Sequence, residues 1–180
     1  MNTFFTGDQH WNHAKIIGYT NRDFANVEEM NESLIASWNS VVKDDDIVYH
    51  LGDFALCVTR AAENIERRLS GTIYMLYYPW HHDQSWLPKR GPLTFGVRTN
   101  FIAPIEVIDN KGIPTMTLCH FPMSSWHKSH YNSWHLFGHT HGTYQPGNLS
   151  MDVGVDSAKK LLGEYRPFSL EEVVEIMGKR

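Results

Sequence analysis

The stretch from Trp134 to Gly142 reads WHLFGHTHG. Its first four residues form a short apolar run typical of a buried strand, and His139 and His141 follow at alternate positions beside Gly138. Neutral imidazole offers a lone pair near neutral pH, and the glycines let the backbone pass close to an ion. The stretch therefore indicates metal binding at a strand end, with a ligand-free loop as the alternative for this motif alone.

Length and composition predict one globular domain over residues 1–180. Hydrophobic residues are 42% and charged residues 20% of the chain, a balance typical of proteins that bury their own core. The net charge of -4 gives no strong indication of nucleic-acid binding. Two distant cysteines, the lack of a signal-like leader and the lack of a long apolar run predict a cytoplasmic protein without a membrane partner.

Further polar clusters each follow a β-prone segment. They are Asp8 and His10 after residues 3–6, Asp53 after residues 47–51, His81, His82 and Asp83 after residues 72–78, and His120 after residues 115–119. Sites in sheets covered by helices lie outside the carboxyl ends of the strands, so we expect these clusters to converge. Mixed oxygen and nitrogen donors suit Mn, Fe, Zn or Co better than Mg or Ca. Each cluster taken alone also fits an exposed turn.

The segments between these clusters predict helices, a hairpin and a last strand. The predicted elements are a helix over residues 26–39 with Asn26 as its N-cap, a helix over residues 59–70, a hairpin over residues 105–119 with its turn at residues 109–112, a strand over residues 151–156, and a C-terminal helix opened by a capping box at residues 169–172. His50 lies within a strand and is predicted to be a core histidine. The aromatic and basic residues 123–134 predict a loop that either packs or lines a pocket.

The order of the five clusters resembles that of the calcineurin-like metallophosphoesterase superfamily, whose signature is D-x-H, G-D, G-N-H-[DE], H and G-H-x-H. The match extends over about residues 3 to 156, nearly the whole chain. Residues 49–54, 120–123 and 152–156 look like the short phage and bacterial members in particular. The resemblance implies an α/β fold, a four-layer sandwich of two mixed β-sheets flanked by helices.

The resemblance also implies a centre with two divalent metal ions. Manganese is the first expectation, with Fe, Zn, Ni or Co as alternatives. The implied ligands are Asp8, His10 and His141 on one ion, Asp53 between the two, and His81, His120 and His139 on the other. By the same resemblance, His82 oriented by Asp83 donates a proton or hydrogen bond to the leaving or phosphoryl oxygen. His13 and Arg22 follow the first motif and are expected to meet substrate phosphate, with a solvated loop arginine as the alternative for Arg22.

The implied function is that of a metal-dependent phosphoesterase. It would hydrolyse a small phosphomonoester or phosphodiester, nucleotides included, by attack of a metal-bridging hydroxide on phosphorus. The third motif departs from the family because Trp80 and His81 replace its Gly-Asn pair. The second metal site can therefore be intact with a changed metal preference, weakened or lost. A binding module for phosphate or nucleotide that retains the fold, and a metal hydrolase of substrates without phosphorus, are the alternative functions.

Overall fold

The computed structural model describes residues 1–77, 82–87, 98–109, 112–144, 147 and 149–179. Its elements in chain order are β1 Thr3–Thr6, α1 Ala14–Thr20, α2 Val27–Val41, β2 Ile47–His50, α3 Thr59–Glu66, β3 Thr72–Leu76, β4 Thr99–Ile102, β5 Ile105–Ile108, β6 Met116–Cys119, β7 Trp134–Phe137, β8 Ser150–Asp152, α4 Val155–Leu162, β9 Phe168–Ser169 and α5 Leu170–Gly178. Two short 3₁₀ helices, His82–Ser85 and Ser129–Tyr131, lie between strands.

The strands form two mixed sheets. The first has the order β4-β3-β2-β1-β9, in which β1 to β4 are parallel and β9 runs antiparallel to β1. The second has the order β5-β6-β7-β8, in which β6 to β8 are parallel and β5 runs antiparallel to β6. The structure thus confirms the coarse prediction, an α/β protein with two mixed sheets and flanking helices.

Both faces of the five-stranded sheet are buried. Successive side chains of a strand point to opposite faces, so neighbouring residues belong to different core clusters. Phe4 belongs to a buried cluster with Leu34 of α2 and Ala62 of α3. Its neighbour Phe5 belongs to a second cluster with Leu118 of β6 and Leu136 of β7. Helices therefore cover one face and the four-stranded sheet covers the other, which brings loops of both sheets together at one end.

Several local predictions are confirmed. Asn26 caps α2, since its side chain accepts a hydrogen bond of 2.8 Å from the backbone N–H of Glu29. The capping box is present at α5, where Ser169 and Glu172 each accept from the other's backbone N–H. The predicted hairpin is the antiparallel pair β5 and β6. In the described part of the chain, we find no helix with the length and apolar character that a bilayer crossing requires.

The predicted strand over residues 151–156 is wrong in its second half. Strand β8 ends at Asp152, and Val155 begins helix α4. The turn forms because the Asp152 Oδ1 atom accepts a hydrogen bond of 2.7 Å from the backbone N–H of Gly154, the N-cap of α4. The second helix and third strand are also shorter than predicted, ending at Glu66 and Leu76.

Some predictions fall outside the described residues. These are Trp80 and His81 of the third motif and the centre of the hairpin turn, residues 110–111. The predictions for these positions stay predictions.

Candidate metal centre

Two neighbouring parallel strands position the first predicted ligands of the site. The loop after β1 carries Asp8 and His10, and the loop after β2 carries Asp53. The two loops run side by side, because the N–H of Asp8 donates to the carbonyl of Gly52 at 3.0 Å and the N–H of His10 donates to that of Asp53 at 3.1 Å. The strand ends thus bring both carboxylates and the imidazole together, as the sequence predicted.

The second sheet delivers the remaining described ligands. His120 follows β6, and the loop after β7 carries His139 and His141. The backbone N–H of His139 donates to Asp8 Oδ2 at 2.9 Å, which ties the loop of the second sheet directly to that of the first. The site therefore forms where the ends of two separate sheets meet.

The potential ligand atoms fall into three overlapping groups, in each of which they all lie within 4.8 Å of one another. The groups are Asp8, His10 and His141; Asp53, His120 and His139; and His10, Asp53 and His82. The first two groups match the ligand sets that the resemblance implies for two ions, apart from His81. The third group links them, since His10 Nε2 lies 3.4 Å from Asp53 Oδ2. Every predicted ligand that the structure describes is part of the cluster.

Hydrogen bonds to one ring nitrogen set the orientation of two imidazoles. His120 Nδ1 lies 2.8 Å from the carbonyl oxygen of Leu51, which can only accept, so Nδ1 carries the proton. His141 Nδ1 lies 2.6 Å from Asp156 Oδ2 in the same arrangement. In both residues the other nitrogen, Nε2, then presents its lone pair. Metal-ligating histidines typically bind the ion with one ring nitrogen and donate the N–H of the other to a carboxylate or a backbone carbonyl.

The buried carboxylates of the site repel one another, and a bound cation would reduce this repulsion. Burial raises the pKa of Asp8 well above its ordinary value, and the nearby carboxylates of Asp53 and Asp152 raise it further. Burial lowers the pKa of His10 well below its ordinary value, so its ring is neutral. Both ring nitrogens of His10 are buried and have no hydrogen-bond partner among the residues that the structure describes. A divalent cation would compensate the carboxylates and give these nitrogens a partner, so the donor set fits a metal.

The backbone at the ligands is strained. Five of them have a positive φ, which non-glycine residues rarely adopt. The values are 62° for Asp8, 55° for His10, 54° for Asp53, 69° for His139 and 49° for His141. Such conformations cost on the order of 1–3 kcal/mol each and concentrate at functional sites. Their coincidence with the predicted ligands is an independent indication that these loops are shaped for function.

The structure corrects the prediction for Arg22, which was expected to meet substrate phosphate or solvent. Its side chain is fully buried and forms two hydrogen bonds of 2.8 Å with Asp156. The same guanidinium donates to the backbone carbonyls of Asp8 at 2.6 Å and Gln9 at 2.7 Å. Arg22 therefore positions the first ligand loop and holds the carboxylate that orients His141. Together, burial and these bonds leave substrate no access to it.

Asp152 and Asp156 support the site, although the sequence prediction gave them no role. Asp152 Oδ2 accepts from the Thr140 hydroxyl at 2.6 Å and from the Gly142 N–H at 2.8 Å, which fixes the loop of His139 and His141. Although burial raises the pKa of Asp156, hydrogen bonds from His141 and Arg22 outweigh it and lower the pKa to about 2. A signal for Asp152 was present in the sequence, since this carboxylate lies at the end of a buried strand, near the position that Asp8 and Asp53 take after theirs.

His50 is a core histidine, as predicted. Its Nε2 lies 2.6 Å from the side-chain oxygen of Gln9, and its Nδ1 accepts from the N–H of Gly52 at 3.2 Å. Burial lowers its pKa to about 3, so the ring is neutral. His50 thus joins the loop of Asp53 to the neighbouring loop that carries Asp8.

The residues predicted to act on substrate lie beside the predicted metal ligands. His82 is exposed at the start of a 3₁₀ helix, with its ring centroid 5.1 Å from that of His10 and 5.6 Å from that of His13. The buried carboxylate of Asp83 accepts from the Trp86 indole N–H at 2.7 Å, which anchors this short helix. That Asp83 orients His82 stays a prediction.

An open cleft of about 1460 Å³ extends from the predicted metal ligands to solvent. Its described walls are formed by α1, α4, the His82–Ser85 helix and the loop at residues 139–144. Ligand pockets commonly measure roughly 300–1,000 Å³, so the cleft has room for more than a phosphate group. His13 lines this cleft and Arg22 does not.

We expect the substitution Gly154→Ala to weaken metal binding on the order of 10- to 100-fold. The Gly154 backbone has φ -60°, which alanine adopts freely, but an added Cβ would collide with Asp8 Oδ2. Titration calorimetry with Mn²⁺ measures the effect. Gly18→Ala is the matched control, because a Cβ at Gly18 meets nothing within 4 Å. Equal affinity in Gly154→Ala and the wild type would contradict a ligand role for Asp8.

Together, the fold and the site define a class: an α/β protein of two mixed sheets with a histidine and aspartate cluster at the strand ends. No family model matches the chain. The chain is 35% identical over 185 aligned positions to the uncharacterized protein MJ1445 of Methanocaldococcus jannaschii, an alignment that covers 98% of this chain and 91% of that protein. The chain therefore belongs to the same family as this archaeal protein.

A solved structure supports the fold assignment. The chain is similar to the protein of unknown function AQ665 from Aquifex aeolicus, with a TM-score of 0.70 over 97% of this chain and 98% of that chain. The two sequences are 18% identical, so the similarity concerns the fold alone.

Proposed function

We propose that the protein is a metal-dependent phosphoesterase that hydrolyses a small phosphomonoester or phosphodiester with the help of two divalent ions. One observation carries the proposal: potential ligand atoms from loops of two sheets converge into adjoining groups, and His10, Asp53, His139 and His141 of these groups line an open cleft. The proposal includes membership of the calcineurin-like metallophosphoesterase superfamily and its four-layer sandwich. The order of the motifs and the two mixed sheets support that membership.

Each of the two groups would bind one metal ion. Asp8, His10 and His141 would hold one ion, and Asp53, His120 and His139 would hold the other, with His81 as a further ligand outside the described residues. Manganese suits this mixture of oxygen and nitrogen donors, as do Fe, Zn, Ni and Co. When bound, such ions lower the pKa of water and neutralise charge on phosphoryl oxygens.

The histidines of the cleft wall would act on the substrate. His82 is exposed beside His10, so its ring can reach a phosphoryl group at the metal cluster and donate a proton to the leaving oxygen. His13 lies on the same wall, and burial lowers its pKa. A neutral His13 would orient the substrate by hydrogen bonding rather than by charge.

The test measures metal content and hydrolysis on the same preparation. We expect about two Mn²⁺ ions per chain. We also expect release of p-nitrophenol from p-nitrophenyl phosphate or bis(p-nitrophenyl) phosphate that a chelator abolishes and added Mn²⁺ restores. Bound metal without hydrolysis of either ester would favour the binding module. A protein that binds no divalent metal would overturn the proposal.

A further inference from the structure

Two exposed tyrosines line the cleft above the metal cluster. Tyr19, on α1, is 71% exposed, and Tyr144, after the loop of His139 and His141, is 52% exposed. Tyrosine combines a large apolar ring with a polar hydroxyl, which is why it is enriched at binding interfaces. Aromatic rings left open beside a phosphate-sized site are suited to contact the organic part of a substrate.

A series of ring contacts connects Tyr19 to the metal ligands. The rings of His10 and His13 lie 5.5 Å apart between centroids, and those of His13 and Tyr19 lie 6.2 Å apart in an edge-to-face arrangement. Tyr19 is therefore separated from a metal ligand by a single side chain. A group attached to a phosphate at the cluster can reach the tyrosine ring.

The cationic side chains of the described cleft wall are already engaged. Lys159 Nζ lies 3.4 Å from Asp23 Oδ2 and 5.0 Å from the centroid of the Tyr165 ring. Lys160 Nζ donates to the backbone carbonyls of His141 and Gly142, both at 3.0 Å. The described wall thus offers aromatic surface beyond the metal cluster, and its lysines are committed to contacts within the protein. This favours a substrate with one phosphate over a polyphosphate.

We propose that Tyr19 stacks on the nucleobase of the substrate, with Tyr144 contacting the same group from the opposite loop, so that the substrates are nucleoside esters that carry a single phosphate. The inference rests on the proposed phosphoesterase function and adds the substrate class. Stacking on an aromatic side chain tolerates any base, because every base has a π-face. The cleft therefore selects a planar base without fixing its identity.

The kinetic test uses two substrate pairs, in each of which one member carries a nucleobase and the other lacks it. Adenosine 5′-monophosphate is compared with ribose 5-phosphate, and thymidine 5′-monophosphate p-nitrophenyl ester with methyl p-nitrophenyl phosphate. We expect the wild type to prefer the nucleoside member of at least one pair on the order of 10- to 100-fold in kcat/KM. Tyr19→Ala should abolish this preference and Tyr19→Phe should keep it. Tyr131→Ala, which removes a 74% exposed tyrosine outside the cleft lining, should leave it unchanged.

A binding test separates this inference from the proposed function. Adenosine has no phosphate, so its binding to metal-free protein is independent of hydrolysis. We expect adenosine to shift the Tyr19 ring resonances in NMR spectra, and Tyr19→Ala to weaken binding on the order of 10-fold. Chelator-sensitive hydrolysis without any nucleoside preference would overturn the inference and leave the phosphoesterase in place. Adenosine binding at Tyr19 without hydrolysis of any ester would instead overturn the phosphoesterase.

Discussion

The Asp53→Asn protein is expected to lose chelator-sensitive phosphoester hydrolysis on the order of 10³-fold and to retain about one metal ion per chain instead of two. Asp53 Oδ2 lies 3.4 Å from His10 Nε2 and 3.7 Å from His120 Nε2, so its carboxylate reaches into both ligand groups. Asparagine has the same shape, but its neutral amide is a weaker ligand for a divalent cation. The change therefore removes charge from the centre while leaving its packing largely intact.

Metal analysis and the rate of p-nitrophenol release, measured on the same sample, check this expectation. Asp45→Asn serves as the control, since it makes the same substitution at a side chain that is 74% exposed and belongs to neither the ligand groups nor the cleft lining. The control should keep both the metal content and the rate of the wild type. An Asp53→Asn protein with undiminished metal-dependent turnover would count decisively against the phosphoesterase.

Replacing Arg22 by leucine is expected to lower the free energy of unfolding by about 3–5 kcal/mol. The buried Asp156 carboxylate would lose both hydrogen bonds from the guanidinium, and the carbonyls of Asp8 and Gln9 would lose their donor. Removing one partner of a buried ion pair is costly because the remaining charge stays away from water. Metal affinity should fall as well, since Asp156 orients His141.

Urea denaturation measures the stability loss, and Arg68→Leu provides the comparison. Arg68 forms a similar bidentate ion pair with Glu32. This pair lies on the surface, where the two side chains are 48% and 64% exposed. Its removal should cost about 1 kcal/mol or less. If the two variants proved equally stable, the Arg22 network would have no special structural role.

The strand ends could be predicted from the sequence because the pattern there is local. An apolar run followed by glycine and a carboxylate, as at Gly52 and Asp53, marks both a buried strand and the polar side chain at its end. Parallel pairing of β1 with β2 then brings Asp8 next to Asp53. The strand-end pattern and the parallel pairing together predict where the candidate metal site lies.

The role of Arg22 could not be predicted in this way. Its partner Asp156 lies 134 positions away in the chain, and no local pattern joins the two. A basic residue after a predicted metal motif suits phosphate binding equally well when only the sequence is considered. Burial, which distinguishes the two roles, is a property of the folded chain.

Local pattern also misled the prediction for residues 151–156. Apolar and polar residues alternate there as in a strand, yet Val155 and Asp156 are both buried in the first turn of α4. The capping contact between Asp152 and Gly154 outweighs the alternation. The two-residue strand β9 is too short to leave a recognisable pattern.

The pairing of β9 with β1 has a consequence for the newly made chain. Phe4 and Phe5 emerge from the ribosome early, while their antiparallel partners Phe168 and Ser169 emerge only after every predicted metal ligand. One edge of β1 therefore has no partner for most of translation, and an open apolar edge is a template for pairing with other chains. Nascent chains that stall before Phe168 therefore expose an edge of β1 that the complete chain covers.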